Sequence, residues 1–189
     1  MKIAFVGKGG AGKTTVSSLF CLYYSKNKSV LAIDADINMH MAELLGLNAT
    51  SPDLLLSEKY PSDKIRTWLR GDNSRIKNNA EFKKSTPPGR GSRIIDITDN
   101  NWFMNNLHLA TVGSYSENGL ASSCYHNNLA ILENILSHTN DSGVVAVDMV
   151  AGTDAFASTL YAQFDMLVFA VEPTVRGLKV LDDYLRLAE

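Results

Sequence analysis

Cysteine is nearly absent from this chain: among 189 residues only Cys21 and Cys124 carry a thiol, and they stand far apart. That count excludes a disulfide framework and a C-x-x-C metal site. No apolar run approaches the ~20 residues that a membrane-spanning helix needs. The first residues, MKIAFVGKGG, lack the apolar stretch ending in small residues that marks a secretory leader, so a cytoplasmic location is expected. An excess of one charge is missing as well. Lys and Arg number 18 against 20 Asp and Glu, a net charge of -2, which argues against a protein that is basic throughout. What is present, 45% hydrophobic and 20% charged residues, fits one ordinary domain, residues 1–189, with apolar mass for a sizeable core.

The charge is unevenly spread. Between Lys64 and Arg93 nine Lys or Arg face two acids, Asp72 and Glu81, a local balance of +7 that leaves -9 for the rest. A solvated insertion explains this, and so does a docking face for an acidic partner. The surrounding segment, about 50–106, holds Pro52, Pro61, Pro87 and Pro88 and much Asn, Ser and charge. LLLSEKY, KIRTWL and RIIDI are its candidates for short elements. It reads as a polar, basic insertion, too long for an ordinary loop.

Elsewhere short hydrophobic runs recur at Lys2 to Val6, Val30 to Ile33, Leu107 to Val112, Val144 to Val147 and Met166 to Val171. Nearly continuous apolar runs of this length are expected of parallel strands buried on both faces. Helical patterns lie between them at Lys13 to Ser25, Met39 to Leu45, Asn127 to Ser137, Asp154 to Gln163 and Val175 to Ala188. Strand then helix, repeated, implies an α/β fold with right-handed crossovers.

The first strand runs into FVGKGGAGKTT, and Gly7, Gly12, Lys13 and Thr14 occupy the fixed positions of G-x-x-x-x-G-K-[ST]. Placed between a strand and a helix, such a loop lets consecutive backbone N–H groups converge on an anion, helped by the helix dipole. Gly7, Gly9, Gly10, Ala11, Gly12, Lys13, Thr14 and Thr15 are therefore the candidate phosphate cradle. Lys13 would reach the β- and γ-phosphates, and the Thr14 hydroxyl would bind Mg²⁺. Asp148, ending the strand VVAVD, is the candidate second metal-side group, and Gly152 in MVAGTD is placed to present an N–H to the γ-phosphate or simply to end a strand. Asp34 and Asp36 in AIDAD lie at the carboxyl edge of the second strand, where open α/β sheets bind ligands. One of them orients a water or holds Mg²⁺ through water, unless both merely cap the next helix.

KGGAGKT followed by LAIDAD, VDMVAG and LVFAVEP resembles the deviant Walker A ATPases: the MinD and ParA positioning proteins, nitrogenase iron protein and, closest, the carbon monoxide dehydrogenase maturation ATPases of the CooC type. The resemblance implies a P-loop NTPase with a mostly parallel central sheet flanked by helices. It also implies slow, Mg²⁺-dependent ATP hydrolysis and a homodimer that forms on binding ATP. It gives Lys13 the cis phosphate contact and Lys8 a contact in trans to the nucleotide of the other subunit. It makes Asp36 the water-activating residue of switch I, Asp148 the Walker B aspartate and Gly152 the switch II glycine. The partner of a CooC-like protein would be a client metalloenzyme. A partition or positioning ATPase that binds DNA or a scaffold is the alternative.

Within GSYSENGLASSCYHNNLAILENIL, Ser122 and Cys124 stand where CooC-like proteins carry a C-x-C pair. One Cys124 per subunit, with His126 assisting, would hold nickel or zinc at a dimer interface; otherwise Cys124 is a core or interface cysteine. Cys21, in the apolar Leu19, Leu22, Tyr23 part of the first helix, is expected to be buried rather than to hold an iron-sulfur cluster. For DNA only Lys64 to Arg93 offers a basic surface, and Trp68 and Phe82 form no stacking pattern there, so DNA is not the expected partner. No basic amphipathic ending for membrane attachment is visible. The chain stops in the helix after AVEPTVRG, earlier than the family does, and reads as truncated or as a short variant. ATP rather than GTP rests on the resemblance alone.

Overall fold

The computed structural model describes residues 1–78, 89–94, 102–104, 106–114, 128–152 and 159–188. Its strands are β1 (Lys2–Gly7), β2 (Val30–Ala35), β3 (Trp102–Met104), β4 (Leu107–Thr111), β5 (Val144–Met149) and β6 (Met166–Ala170), joined in the order β3-β4-β2-β5-β1-β6. All pairings are parallel except β3 with β4. The five expected strands all form. β3 was not expected, because three residues, WFM, are too few to show a period.

Alternate residues of each strand feed two cores. On one face Ile3, Phe5, Val30, Ala32 and Leu109 pack with Cys21 of α1 (Lys13–Tyr24) and with Met41 and Ala42 of α2 (Met41–Leu44). On the other, Ala4, Val6, Leu31, Ile33 and Val147 pack against three helices. These are α3 (Lys59–Arg70), α4 (Leu129–His138) and α5 (Val175–Ala188). Covering both faces is why β2 and β5 are buried at every position. Each large aliphatic side chain so buried contributes roughly 1.5–3 kcal/mol of transfer free energy.

Segment 50–106 carries the short element expected at KIRTWL, which lies inside α3. Within it α3 makes three turns, and Leu56, Ile65, Leu69, Ile76 and Ile94 join the same core cluster as the sheet. Two of the four buried positions of α3 are Pro61 and Ser62, so its inward stripe looks polar in sequence. Of the basic residues there, Arg90 lies 4.7 Å and Arg93 5.8 Å from the centre of the Trp68 ring, a cation–π cluster that engages both guanidiniums within the protein. Lys83, Lys84 and Phe82 lie outside the described residues.

Three helical expectations are adjusted. The pattern at Met39 to Leu45 yields only the four residues of α2, because Met39 takes the left-handed conformation, φ 53°. The described end of Asp154 to Gln163 is a 3-10 turn, Thr159–Gln163. Cys21 is buried as expected but on the opposite side of α1 from Leu19 and Tyr23, which are 61% and 68% exposed. Burial pushes its thiol up to about 12, which makes it an inert core group. Among the described residues no helix is long and apolar enough to cross a membrane.

Candidate nucleotide site

The glycine loop leaves β1 at Gly7 and closes on α1 through a turn in which the Ala11 N–H donates to the Lys8 carbonyl at 3.2 Å. Gly10 (φ 81°) and Gly12 (φ 90°) hold left-handed conformations that cost a residue with a Cβ about 1 kcal/mol or more. α1 starts without a side-chain cap and with no acid in its first turn. Its orphan N–H groups, together with the helix dipole, therefore favour an anion. Gly9, Gly10, Gly12, Lys13, Thr14 and Thr15 line an open cleft of about 780 Å³, whose far wall includes Asp36, Asn38 and His40. Val150 and Ala151 also line it.

Lys13 is only 5% exposed, and its ammonium donates to the Lys8 carbonyl at 3.3 Å. Behind it lies Asp148, fully buried, brought beside the loop by the parallel register that sets Phe5 and Asp34 opposite it. Neither carboxylate oxygen of Asp148 has a hydrogen-bond partner. Burial pushes its carboxyl up to about 6, while the nearby Thr14 and Ser17 hydroxyls and the Lys13 ammonium pull it back. The Ser17 hydroxyl donates instead to the Thr14 carbonyl at 3.1 Å. A bare carboxylate beside a hydroxyl is the oxygen donor set that a hard divalent cation takes, so these residues fit Mg²⁺.

The two acids of AIDAD have separate fates. Asp34, 1% exposed, accepts from the Met41 N–H at 2.9 Å and the Asp36 N–H at 3.1 Å, which makes it the brace of the loop into α2. Asp36 is half-buried on the cleft, and its Oδ1 accepts from the backbone and side-chain nitrogens of Asn38 at 2.9 and 3.0 Å. Burial foremost, and repulsion from Asp148, raise the Asp34 carboxyl to about 7, against the pull of its two N–H donors. A folded-state value above the unfolded one means that Asp34 favours folding below about pH 4 and loses that contribution as pH rises through about 7. Relative to an Asp34→Asn variant, the metal-free protein is expected to lose on the order of 3 kcal/mol of stability between those limits. Urea unfolding at several pH values in EDTA measures it, and equal slopes for the two proteins would contradict it.

Gly152 (φ 91°) donates its N–H to the Gly7 carbonyl at 3.2 Å and accepts at its own carbonyl from the Tyr184 hydroxyl of α5. Lys8 is not among the residues lining the cleft and pairs with Glu172 at 2.7 Å. Gly7 and Ala11 complete the loop without lining the cleft, and Cys124, Ser122 and His126 lie outside the described residues. Tyr184 and Glu172 escaped the sequence reading. Tyr184 resembles any core aromatic of an amphipathic helix, whereas Glu172 stands in the quoted AVEP, an acid just past a strand.

Residues 3–166 match the CobQ/CobB/MinD/ParA nucleotide binding domain. The chain belongs to that family. Within the CobQ/CobB/MinD/ParA family it is 30% identical over 182 residues to the carbon monoxide dehydrogenase accessory protein CooC of Rhodospirillum rubrum, covering 95% of this chain and 65% of CooC. It is 27% identical over 182 residues to an uncharacterized ATP-binding protein of Methanocaldococcus jannaschii, covering 94% of this chain and 65% of that protein. The chain thus spans 65% of the length of these curated relatives. A plasmid partition protein of Borrelia burgdorferi bound to AMPPNP shares the fold, with a TM-score of 0.55 at 20% identity, over 99% of this chain and 67% of the other.

Proposed function

We propose that this chain, as one domain, binds ATP with Mg²⁺ and hydrolyses it slowly as half of a nucleotide-closed homodimer in the cytoplasm. The observation that carries the reading is the unpartnered Asp148 carboxylate, buried beside Lys13 and Thr14, since such a group is costly unless a cation completes it. Among the described residues no three His, Cys, Asp or Glu gather into a metal-holding group. Asp148 and the Thr14 hydroxyl would therefore hold an ion that takes its other ligands from phosphate and water. When bound, Mg²⁺ neutralises charge on the phosphates.

The N–H groups from Gly9 to Thr15 cradle the phosphates, Gly7 anchors the loop and the Lys13 ammonium moves from the Lys8 carbonyl to the β- and γ-oxygens. Asp36 orients a water that attacks the γ-phosphorus as the bond to the ADP oxygen breaks. Gly152 gives up the Gly7 carbonyl to direct its N–H at the γ-phosphate. Lys8 of each subunit stabilises charge on the nucleotide held by the other.

The 30% identity to CooC supports use of this switch in maturing a metal centre of a client enzyme, and Cys124, assisted by His126, is the candidate ligand for nickel or zinc at the dimer interface. The fold shared with a plasmid partition protein favours a second reading, nucleotide-controlled binding to DNA or a scaffold. Phosphate release and molecular mass with and without ATP, in wild type and Lys8→Ala, test the shared core of both. Wild type is expected to dimerise with ATP and turn over slowly, and Lys8→Ala to dimerise measurably more weakly and to lose turnover. A Lys8→Ala protein that matches wild type on both counts would overturn the trans role. Salt-sensitive retention on DNA with ATP, lost on neutralising Lys83, Lys84 and Arg90, would decide for the second reading.

A further inference from the structure

We propose that Glu172 is a positioning residue for Lys8: it parks the second lysine of the loop inside its own subunit, so that release of Lys8 is a step of dimer assembly. This rests on the reading of Lys8 as a trans group. Lys8 and Glu172 are 164 positions apart, and the parallel register that sets Gly7 opposite Ala170 brings them side by side, each just past the end of its strand. The Lys8 Nζ donates to the Glu172 Oε2 at 2.7 Å, with the side chains 35% and 29% exposed. A pair so far withdrawn from water is held more firmly than the freely solvated pairs that contribute little.

The acid is also fixed in place. Its carbonyl accepts from the Thr174 N–H at 2.7 Å, and a Cβ at Gly177 would meet that same carbonyl at 2.5 Å, so the following helix abuts Glu172 backbone to backbone. The other carboxylate oxygen lies 3.6 Å from where a Cβ of Gly10 would stand, alongside the loop that is built for an anion. A carboxylate there repels phosphate unless a cation covers it, and Lys8 is that cover. The resting loop consequently offers the incoming nucleotide one cation, Lys13, while the second is neutralised at home. Lys13 itself is bonded to the Lys8 carbonyl. Phosphates that draw Lys13 away leave the Lys8 carbonyl with only the Ala11 N–H of its two donors, which loosens residue 8 and links nucleotide binding in one subunit to release of the lysine meant for the other.

The test is a double-mutant cycle read as the dissociation constant of the dimer in AMPPNP and Mg²⁺, with wild type, Glu172→Gln, Lys8→Ala and the double variant. Glu172→Gln keeps the shape of the side chain, Glu172→Ala serves as a second removal of the charge, and thermal unfolding checks that each variant is folded. Glu172→Gln is expected to tighten the dimer about twofold to fivefold, on the scale of a partly exposed ion pair, and to give no gain where Lys8 is already alanine. A Glu172→Gln dimer no tighter than wild type, with the Lys8→Ala dimer measurably weakened, overturns the parking role and leaves the trans lysine standing. Tightening of equal size without Lys8 also overturns it, since the effect would then come from charge at the loop alone. A Lys8→Ala protein that dimerises like wild type removes the underlying reading and the parking role with it.

Discussion

Lys13→Ala is expected to lower ATP hydrolysis by at least about a hundredfold while leaving the fold intact. Removing a single preorganised donor from developing transition-state charge costs roughly 10²–10³ in rate, and phosphoryl transfer leans on such charge stabilisation almost entirely. The ammonium stands at the first residue of α1, 5% exposed, against the unpartnered carboxylate of Asp148. Its recorded bond is the long one to the Lys8 carbonyl, 3.3 Å, so little folding energy is lost with it. Taking away the cation would push Asp148 further up, because Lys13 is one of the groups holding that carboxyl down. The variant should therefore also bind Mg²⁺–nucleotide more weakly at neutral pH. Lys13→Arg should not restore turnover, since a planar guanidinium does not fit the place of a compact ammonium. Single-turnover phosphate release and circular dichroism decide the matter: a folded Lys13→Ala protein with wild-type turnover would remove the loop from the chemistry.

The strands were legible because burial on both faces writes them as apolar runs, and the cradle was legible because its geometry demands glycine, lysine and hydroxyl at fixed spacing. α3 was legible only as its fragment KIRTWL, since its inward face includes Pro61 and Ser62. The separation of Asp34 from Asp36 was not legible. Both end the same strand, and which one folds back on the chain depends on a turn through Met39 whose left-handed backbone no pattern announces. Lys8 shows the limit most clearly. The family resemblance implied a second cation there, but its counter-charge arrives through the pairing of β1 with β6, a contact between residues 164 positions apart.

Gly7→Ala is expected to cost about 3–5 kcal/mol of stability, a large share of the 5–15 kcal/mol of an ordinary domain. Gly7 is the one glycine of the loop whose missing Cβ is demanded by the protein itself. Built there, that atom would stand 2.2 Å from the Ala170 carbonyl oxygen of β6, and the backbone, at φ 139°, lies where side chains are strained. Backbone strain of about 1–3 kcal/mol adds to an overpacking term of similar size, and neither relaxes easily because the obstacle is main chain. Gly12 offers the contrast: its φ is 90° but nothing lies within 4 Å of its would-be Cβ, so Gly12→Ala should lose only about 1–2 kcal/mol while impairing nucleotide binding. Pushing β6 outward at Ala170 would also carry off Glu172, two residues on, and with it the partner of Lys8. Urea unfolding midpoints of the two variants, paired with nucleotide titration, separate these roles. A Gly7→Ala protein that unfolds at the wild-type midpoint yet fails to bind nucleotide would place Gly7 among the phosphate contacts instead of at the seam between β1 and β6.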